Sequence, residues 1–217
     1  MLDHAERLEA LHLAYAAAVS DALDRLGLRE QALDPAIRPI HAGAKVVGRA
    51  APTLVVTSEG IPDKPYEGEI RAAEALRPGD VSVIVATGTR AAVWGELFSC
   101  AARGRGAVGA IIDGYVRDAQ QIAELAYPVF ARGCSPLDTL GRAEAREVGV
   151  TVSCGGVAIA PGDYLIADGD GAVAIPAAAI DEVLALIRPK LGKERRARAD
   201  LLAGERISDV WEKYGVL

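Results

Sequence analysis

Hydrophobic positions recur at helical spacing at the start of the chain, where Leu8, Leu11, Leu13, Tyr15 and Val19 mark one amphipathic helix over residues 5–19. Ser20 or Asp21 then caps a second short helix that ends at Gly27. After Pro35 and Pro39 the pattern changes to that of strands. Residues 44–47 and 53–57 are rich in β-branched side chains, and Gly48 and Pro52 break them apart. Residues 58–69 are turn-rich. From Pro78 the pattern becomes regular: a Pro-Gly-Asp turn, a strand over 81–86, a helix over 95–103, a strand over 108–112 and a helix over 117–125. Beyond these, residues 150–153, 157–159, 164–167 and 172–175 read as short strands with glycine-rich turns, followed by helices to the end.

The strand-helix-strand-helix unit has a geometric consequence. Such units are parallel and right-handed, so the loops after both strands open at the same carboxyl edge of the sheet. Gly95-Glu96 and Arg117-Asp118 are therefore expected to be neighbours in space. No linker-like stretch divides the 217 residues, so one α/β domain over 1–217 is expected. With 51% hydrophobic and only 5% aromatic residues, its core is built from Ala, Val, Ile and Leu.

Composition removes several function classes. A net charge of -6 argues against a protein whose main partner is nucleic acid. The local basic run Arg188, Lys190, Lys193, Arg195, Arg196 and Arg198 is interleaved with Glu194 and Asp200 and reads as a solvated helix face. The segment Met1 to Glu6 lacks the basic start and apolar stretch of a leader, and no apolar run reaches membrane-spanning length, so a cytoplasmic protein without a membrane partner is expected. Cys100, Cys134 and Cys154 form no C-x-x-C pair and read as small buried thiols. His4, His12 and His41 lack the spacing of a zinc site.

Two motifs are set aside on context. Residues 104–109 match G-x-G-x-x-G but follow a helix and lead into a strand, the reverse of a dinucleotide-binding turn; a methyltransferase reading loses its one cofactor candidate with it. Asp168-Gly169-Asp170-Gly171 has the acids of a calcium loop at its start but none at the later ligand positions, and reads as a tight hairpin. Neither a G-x-S-x-G elbow nor a Walker loop is present.

The run Asp113-Gly114-Tyr115-Val116-Arg117-Asp118 ends a buried strand with a glycine turn and sets a guanidinium beside a carboxylate at a helix start. Chemistry on a small 2-oxo acid needs both, a fork of donors for its oxygens and an anchor for a metal. Gly95, Glu96, Leu97 and Phe98 supply an opposite wall, because N–H groups at a helix amino terminus favour a carboxylate. On these residues alone the plainer reading stays ahead: Asp118 as a first-turn acid favoured by the helix dipole, with Arg117 as its surface partner.

Gly95-Glu96-Leu97, then Asp113-Gly114-x-x-Arg117-Asp118, then Pro161-Gly162-Asp163 with Ala167-Asp168-x-Asp170-Gly171 and Pro176, resembles the 4-hydroxy-4-methyl-2-oxoglutarate aldolase and RraA-like family. The similarity runs from Ser20-Asp21-Ala22-Leu23-Asp24 to the last helix. The resemblance implies an α/β fold of the swivelling β/β/α type, with mixed sheets flanked by helices, assembled as a homotrimer or homohexamer with active sites between subunits. It implies that Asp118 ligates Mg2+ or Mn2+, that Arg117 contacts the keto oxygen of a pyruvyl group, and that amides around Leu97 and Phe98 hold its carboxylate. It further implies that Glu96 orients a water for proton transfer, at a position where aldolases of the family can carry Asp, and that Glu194 reaches a neighbouring subunit's site. The implied activity is a class II aldolase releasing pyruvate from a 4-hydroxy-2-oxo acid, with oxaloacetate decarboxylation through the same intermediate. The family also contains non-catalytic regulators that bind RNase E and lack the acid matching Asp118. Residues 58–69 and 132–136 are candidates for shaping specificity.

Overall fold

Strand-forming segments account for most of the core, and their pairing nearly closes on itself. In the computed structural model, which describes residues 3–217, nine strands form one mixed sheet; Met1 and Leu2, the start of the segment read above for a leader, lie outside the described residues. The strands in chain order are β1 (Arg38–Pro39), β2 (Val46–Thr57), β3 (Asp80–Ala86), β4 (Ala92–Trp94), β5 (Gly109–Val116), β6 (Val129–Cys134), β7 (Ala143–Val148), β8 (Val152–Cys154), β9 (Val157–Ile159), β10 (Tyr164–Asp168) and β11 (Gly171–Ile175). Their spatial order is β1-β6-β5-β3-β2-β10-β11, with β4 added to β5 and β7 to β2, while β8 and β9 form a separate hairpin. The Leu33 amide donates to the Ala172 carbonyl of β11 and the Ala174 amide to the Gln31 carbonyl, and the same stretch of chain continues into β1 beside β6. The sheet thus bends round until its two edges are joined by one segment of chain. This is the α/β architecture expected.

The helices are α1 (His4–His12), α2 (Ala16–Arg25), α3 (Glu67–Ala75), α4 (Glu96–Gly104), α5 (Ala119–Glu124), α6 (Ile180–Leu202) and α7 (Ile207–Tyr214). Inside the sheet, Val81, Val83, Val85, Ile111, Phe130 and Leu165 pack with Cys154 and Ile159 of the β8–β9 hairpin. Outside it, Ile84, Ile112, Trp94 and Tyr127 face the side of α4 and α5, and Ile166, Val173 and Ile175 face α1, α2 and α6. Helix α6 runs on beyond the core to a satellite cluster with α7 around Val210 and Val216. Among the described residues no helix is long and apolar enough to cross a membrane.

Several expected elements are corrected. The opening helix is two: the chain breaks at residues 13–15, where the Lys45 ammonium donates to the carbonyls of His12 and Ala14, and Leu13 is left exposed. Gly48 and Pro52 do not interrupt β2. Gly48 lies where a β-carbon would meet the Gly79 carbonyl at 2.6 Å, so a glycine there permits close packing. Pro52 falls between the stretches of β2 that pair with β10 and with β7, so its missing N–H costs no ladder bond. The turn-rich span ends in α3, a helix the apolar pattern conceals because its buried residues are Glu69 and Ala73 while Ile70 is half exposed. Strand β5 continues four residues past Ile112, and Gly114 is part of it at a register shift against β6, not a turn. Of the thiols, Cys154 is buried but Cys100 and Cys134 are exposed. The hairpin at Asp168 forms as expected, and Asp168 also accepts a hydrogen bond from Ala16 N at the start of α2.

Candidate active site

Three parallel strands, β3, β5 and β6, deliver their carboxyl ends to one edge of the sheet. Short β4 lies parallel beside the end of β5, pairing Ala92 with Tyr115 and Trp94 with Val116, and the Arg117 amide donates to the Trp94 carbonyl at 2.9 Å. That pairing sets Gly95, the residue after β4, directly against Arg117 and Asp118, the residues after β5. A β-carbon on Gly95 would stand 2.6 Å from Asp118 Oδ2 and 3.2 Å from Arg117 Cγ. The Glu96 amide, first in α4, donates to the same Asp118 oxygen at 3.2 Å.

The start of α4 is held from within. Trp94 Nε1 donates to Ser99 Oγ at 2.8 Å and Ser99 Oγ donates to the Gly95 carbonyl at 3.0 Å, both buried, while the Phe98 ring lies against Trp94. Leu97 projects into solvent, and the Glu96 carboxylate makes no hydrogen bond or ion pair among the described residues. Helix α5 is shorter than expected. Arg117 precedes it and Asp118 is its N-cap in the left-handed region at φ 59°, without a side-chain cap bond. The carboxylate is thereby turned away from the helix it was expected to begin and toward Gly95.

Arg117 lies between two acids. Its Nε is 3.7 Å from Asp118 Oδ2 and its Nη1 is 3.5 Å from Asp138 Oδ2, the latter carboxylate belonging to the loop after β6. The Tyr66 hydroxyl donates to Asp138 Oδ2 at 2.7 Å. Burial pushes the Asp138 carboxyl up, but the Tyr66 hydroxyl and the Arg117 charge outweigh it and hold it below the ordinary value. The same bond, together with burial, raises the Tyr66 phenol. An open cavity of about 460 Å³ is lined by Arg117, Asp118, Cys134, Ser135 and Pro136.

Gly95, Glu96, Leu97, Phe98, Arg117 and Asp118 are thus brought together, and Glu194 is not. Glu194 lies on α6, where it accepts a hydrogen bond from Tyr15 and lies 3.6 Å from Lys190, at the rim of a separate groove of about 770 Å³ between α1 and α6. Asp138 and Tyr66 were not singled out from the sequence. The signal for Asp138 is its place after a parallel strand, but the apolar pattern does not announce β6; Tyr66 sits in a span whose pattern shows only turns. Among the described residues no group of three or more His, Cys, Asp or Glu side chains converges as a metal cage.

A family model described as RraA-like, Aldolase/RraA, matches residues 16–174. The chain belongs to the RraA-like family. A protein of Halalkalibacterium halodurans, provisionally named a 4-hydroxy-4-methyl-2-oxoglutarate aldolase, is 34% identical over 194 residues, covering 88% of this chain and 83% of its own. An uncharacterised protein of Pseudomonas syringae pv. tomato superposes with a TM-score of 0.87 at 27% identity, covering 99% of this chain and 96% of that one. Streptomyces coelicolor RraAS2, described as an unusual member of the RNase ES inhibitor RraA protein family, superposes with a TM-score of 0.79 at 27% identity, covering 91% and 100%. The RraA-like family therefore includes names of both kinds, aldolase and ribonuclease inhibitor.

Proposed function

We propose that this RraA-like chain is a divalent-metal-dependent lyase that releases pyruvate from a 4-hydroxy-2-oxo acid and decarboxylates oxaloacetate. The observation that carries the reading is the Asp118 carboxylate, turned by a left-handed backbone toward Gly95 and set beside Arg117 at an open cavity. An acid serving only the helix dipole would face its own helix.

Mg2+ or Mn2+ fits this donor set. One half-exposed carboxylate facing solvent suits a hard cation that keeps most of its waters. When bound through Asp118, such an ion supplies Lewis-acid polarisation of the substrate's 2-oxo group. The protein's own groups do the rest. Arg117 faces the 2-oxo oxygen, where negative charge grows as the C3–C4 bond breaks and its electrons move into the C2–C3 bond. The amides of Leu97 and Phe98, at the amino end of the nine-residue α4, receive the C1 carboxylate. Glu96, free of partners in the chain, orients the water that takes the proton of the 4-hydroxyl and later returns one to C3. Oxaloacetate follows the same course with carbon dioxide as the leaving fragment. Glu194 enters this scheme only from a second copy in a homotrimer or homohexamer, because within the chain it lines the groove between α1 and α6 and not the cavity at Arg117 and Asp118.

The test is pyruvate release from oxaloacetate and from branched 4-hydroxy-2-oxo diacids, with Mg2+ and then with a chelator. Release that the chelator abolishes is expected, and Asp118→Ala is expected to lose about 10² to 10³ in kcat, as removal of one preorganised group does. Turnover by Asp118→Ala at the wild-type rate refutes the assignment. No pyruvate from any substrate, with capture of the chain on an RNase E scaffold, would put the regulator reading in its place.

A further inference from the structure

The donors of Arg117 are not equivalent. Nε faces Asp118 and Nη1 faces Asp138, whereas Nη2 makes no hydrogen bond or ion pair among the described residues. Because the guanidinium is planar, fixing the Nε and Nη1 ends fixes the direction in which Nη2 points. Asp118 cannot hold its end alone under the proposed chemistry, since a dication on that carboxylate would draw on the same charge and repel the guanidinium. Asp138 is the remaining counter-charge.

Asp138 is itself aimed. The 2.7 Å bond from the Tyr66 hydroxyl engages the same Oδ2 that faces Arg117, while its other oxygen receives a longer 3.4 Å bond from the Thr139 hydroxyl. Tyr66 sits at φ 63°, a left-handed conformation that bulky side chains rarely adopt. Among the described residues three non-glycine positions have positive φ, namely Tyr66, Asp118 and Ala126, and two of them end in the charged chain that contains Arg117. Backbone strain concentrated on one side chain from two separate loops marks a direction the fold enforces. We propose that Asp138, oriented by Tyr66, is a positioning residue that holds Arg117 with Nη2 turned toward the oxygens of the 2-oxo acid. This rests on the lyase reading of the site.

Oxalate, a planar dianion shaped like the enol form of pyruvate, is the probe, titrated calorimetrically into the full-length protein with Mg2+. Charge and position act with opposite sign here. Removing the negative charge of Asp138 would by itself tighten binding of an anion, whereas losing the orientation of Arg117 weakens it. Asp138→Asn is expected to weaken oxalate binding about tenfold, the worth of one charge-assisted hydrogen bond. Tyr66→Phe, which alters no charge, is expected to weaken it in the same direction, and Asp138→Glu to fall between wild type and Asp138→Asn. In an Arg117→Met background the effect of Asp138→Asn should vanish, which a general loss of structure would not produce. Equal or tighter binding by Asp138→Asn, or a loss that persists undiminished without Arg117, overturns the proposal while leaving the lyase reading intact. A wild-type protein that neither binds oxalate nor releases pyruvate overturns both.

Discussion

Substituting Gly95 by alanine tests the site with a single methyl group. At φ −160° and ψ −169° the backbone is extended and accepts alanine without strain, so any effect comes from the added carbon. That carbon would stand 2.6 Å from Asp118 Oδ2, where ordinary contact begins at 3.4 Å, so the carboxylate must retreat by about 0.8 Å. Retreat breaks the 3.2 Å bond from the Glu96 amide and misplaces the proposed metal anchor. The stability cost is modest, because the obstructing atom ends a side chain that is 38% exposed. Overpacking at the low end of its range plus a poorer N-cap comes to about 1–2 kcal/mol, a Tm loss of roughly 2–8 °C for a chain of this size. Activity should suffer far more, since a displacement near 1 Å at a reacting centre costs about 10²-fold. The assays are thermal denaturation and Mg2+-dependent pyruvate release on the same preparation. If Gly95→Ala turns over at the wild-type rate with saturating Mg2+, the close approach of Gly95 to Asp118 has no part in catalysis and the geometry assigned to the site is wrong.

Three further outcomes are expected. Burial pushes the Glu69 carboxyl up, Glu144 and Asp138 adding to it against backbone hydrogen bonds that pull down, so the folded chain favours the protonated acid. That contribution is complete below the unfolded value of 4.5 and is lost as pH rises through the higher folded value. Glu69→Gln should therefore raise Tm at pH 7 and lose its advantage below pH 4.5; a pH-independent difference would contradict the assignment to burial. In thiol titration with an aromatic disulfide, Cys100 and Cys134 should react in the native protein, and Cys154, buried and pushed up to about 12, only on unfolding. Cys134 lines the proposed site, so Mg2+ with oxalate should slow its reaction but not that of Cys100, and equal protection of both would separate Cys134 from the ligand.

What the residues disclosed in advance and what they concealed divide along a physical line. Strands β3 and β5 are buried on both faces and read as continuous apolar runs, and parallel crossover geometry then placed Gly95 near Arg117 without reference to any side-chain contact. Helix α3 defeats the same reasoning, since its buried face carries a glutamate and an alanine while its isoleucine points outward. Strand β6 is short, and Arg-Gly-Cys ends it where an apolar run would have announced a strand. Without β6 the sequence offers no edge on which to place Asp138, although its loop follows the third parallel strand in the same row.

The left-handed turn at Asp118 was concealed for a different reason. An aspartate just before a helix is the ordinary sequence of an N-cap, and composition cannot distinguish a side chain that caps from one turned aside. The distinction resides in φ, and φ is set here by β4 lying against the end of β5, with the Arg117 amide bonded to the Trp94 carbonyl. A three-residue strand with a weak pattern of its own thus decides where the one proposed metal-binding carboxylate points. The same pairing brings Gly95 so close that any β-carbon there displaces the Asp118 carboxylate, so the glycine, the turn at Asp118 and the aim of Arg117 form a single geometric device, in which altering any one member should disturb the other two.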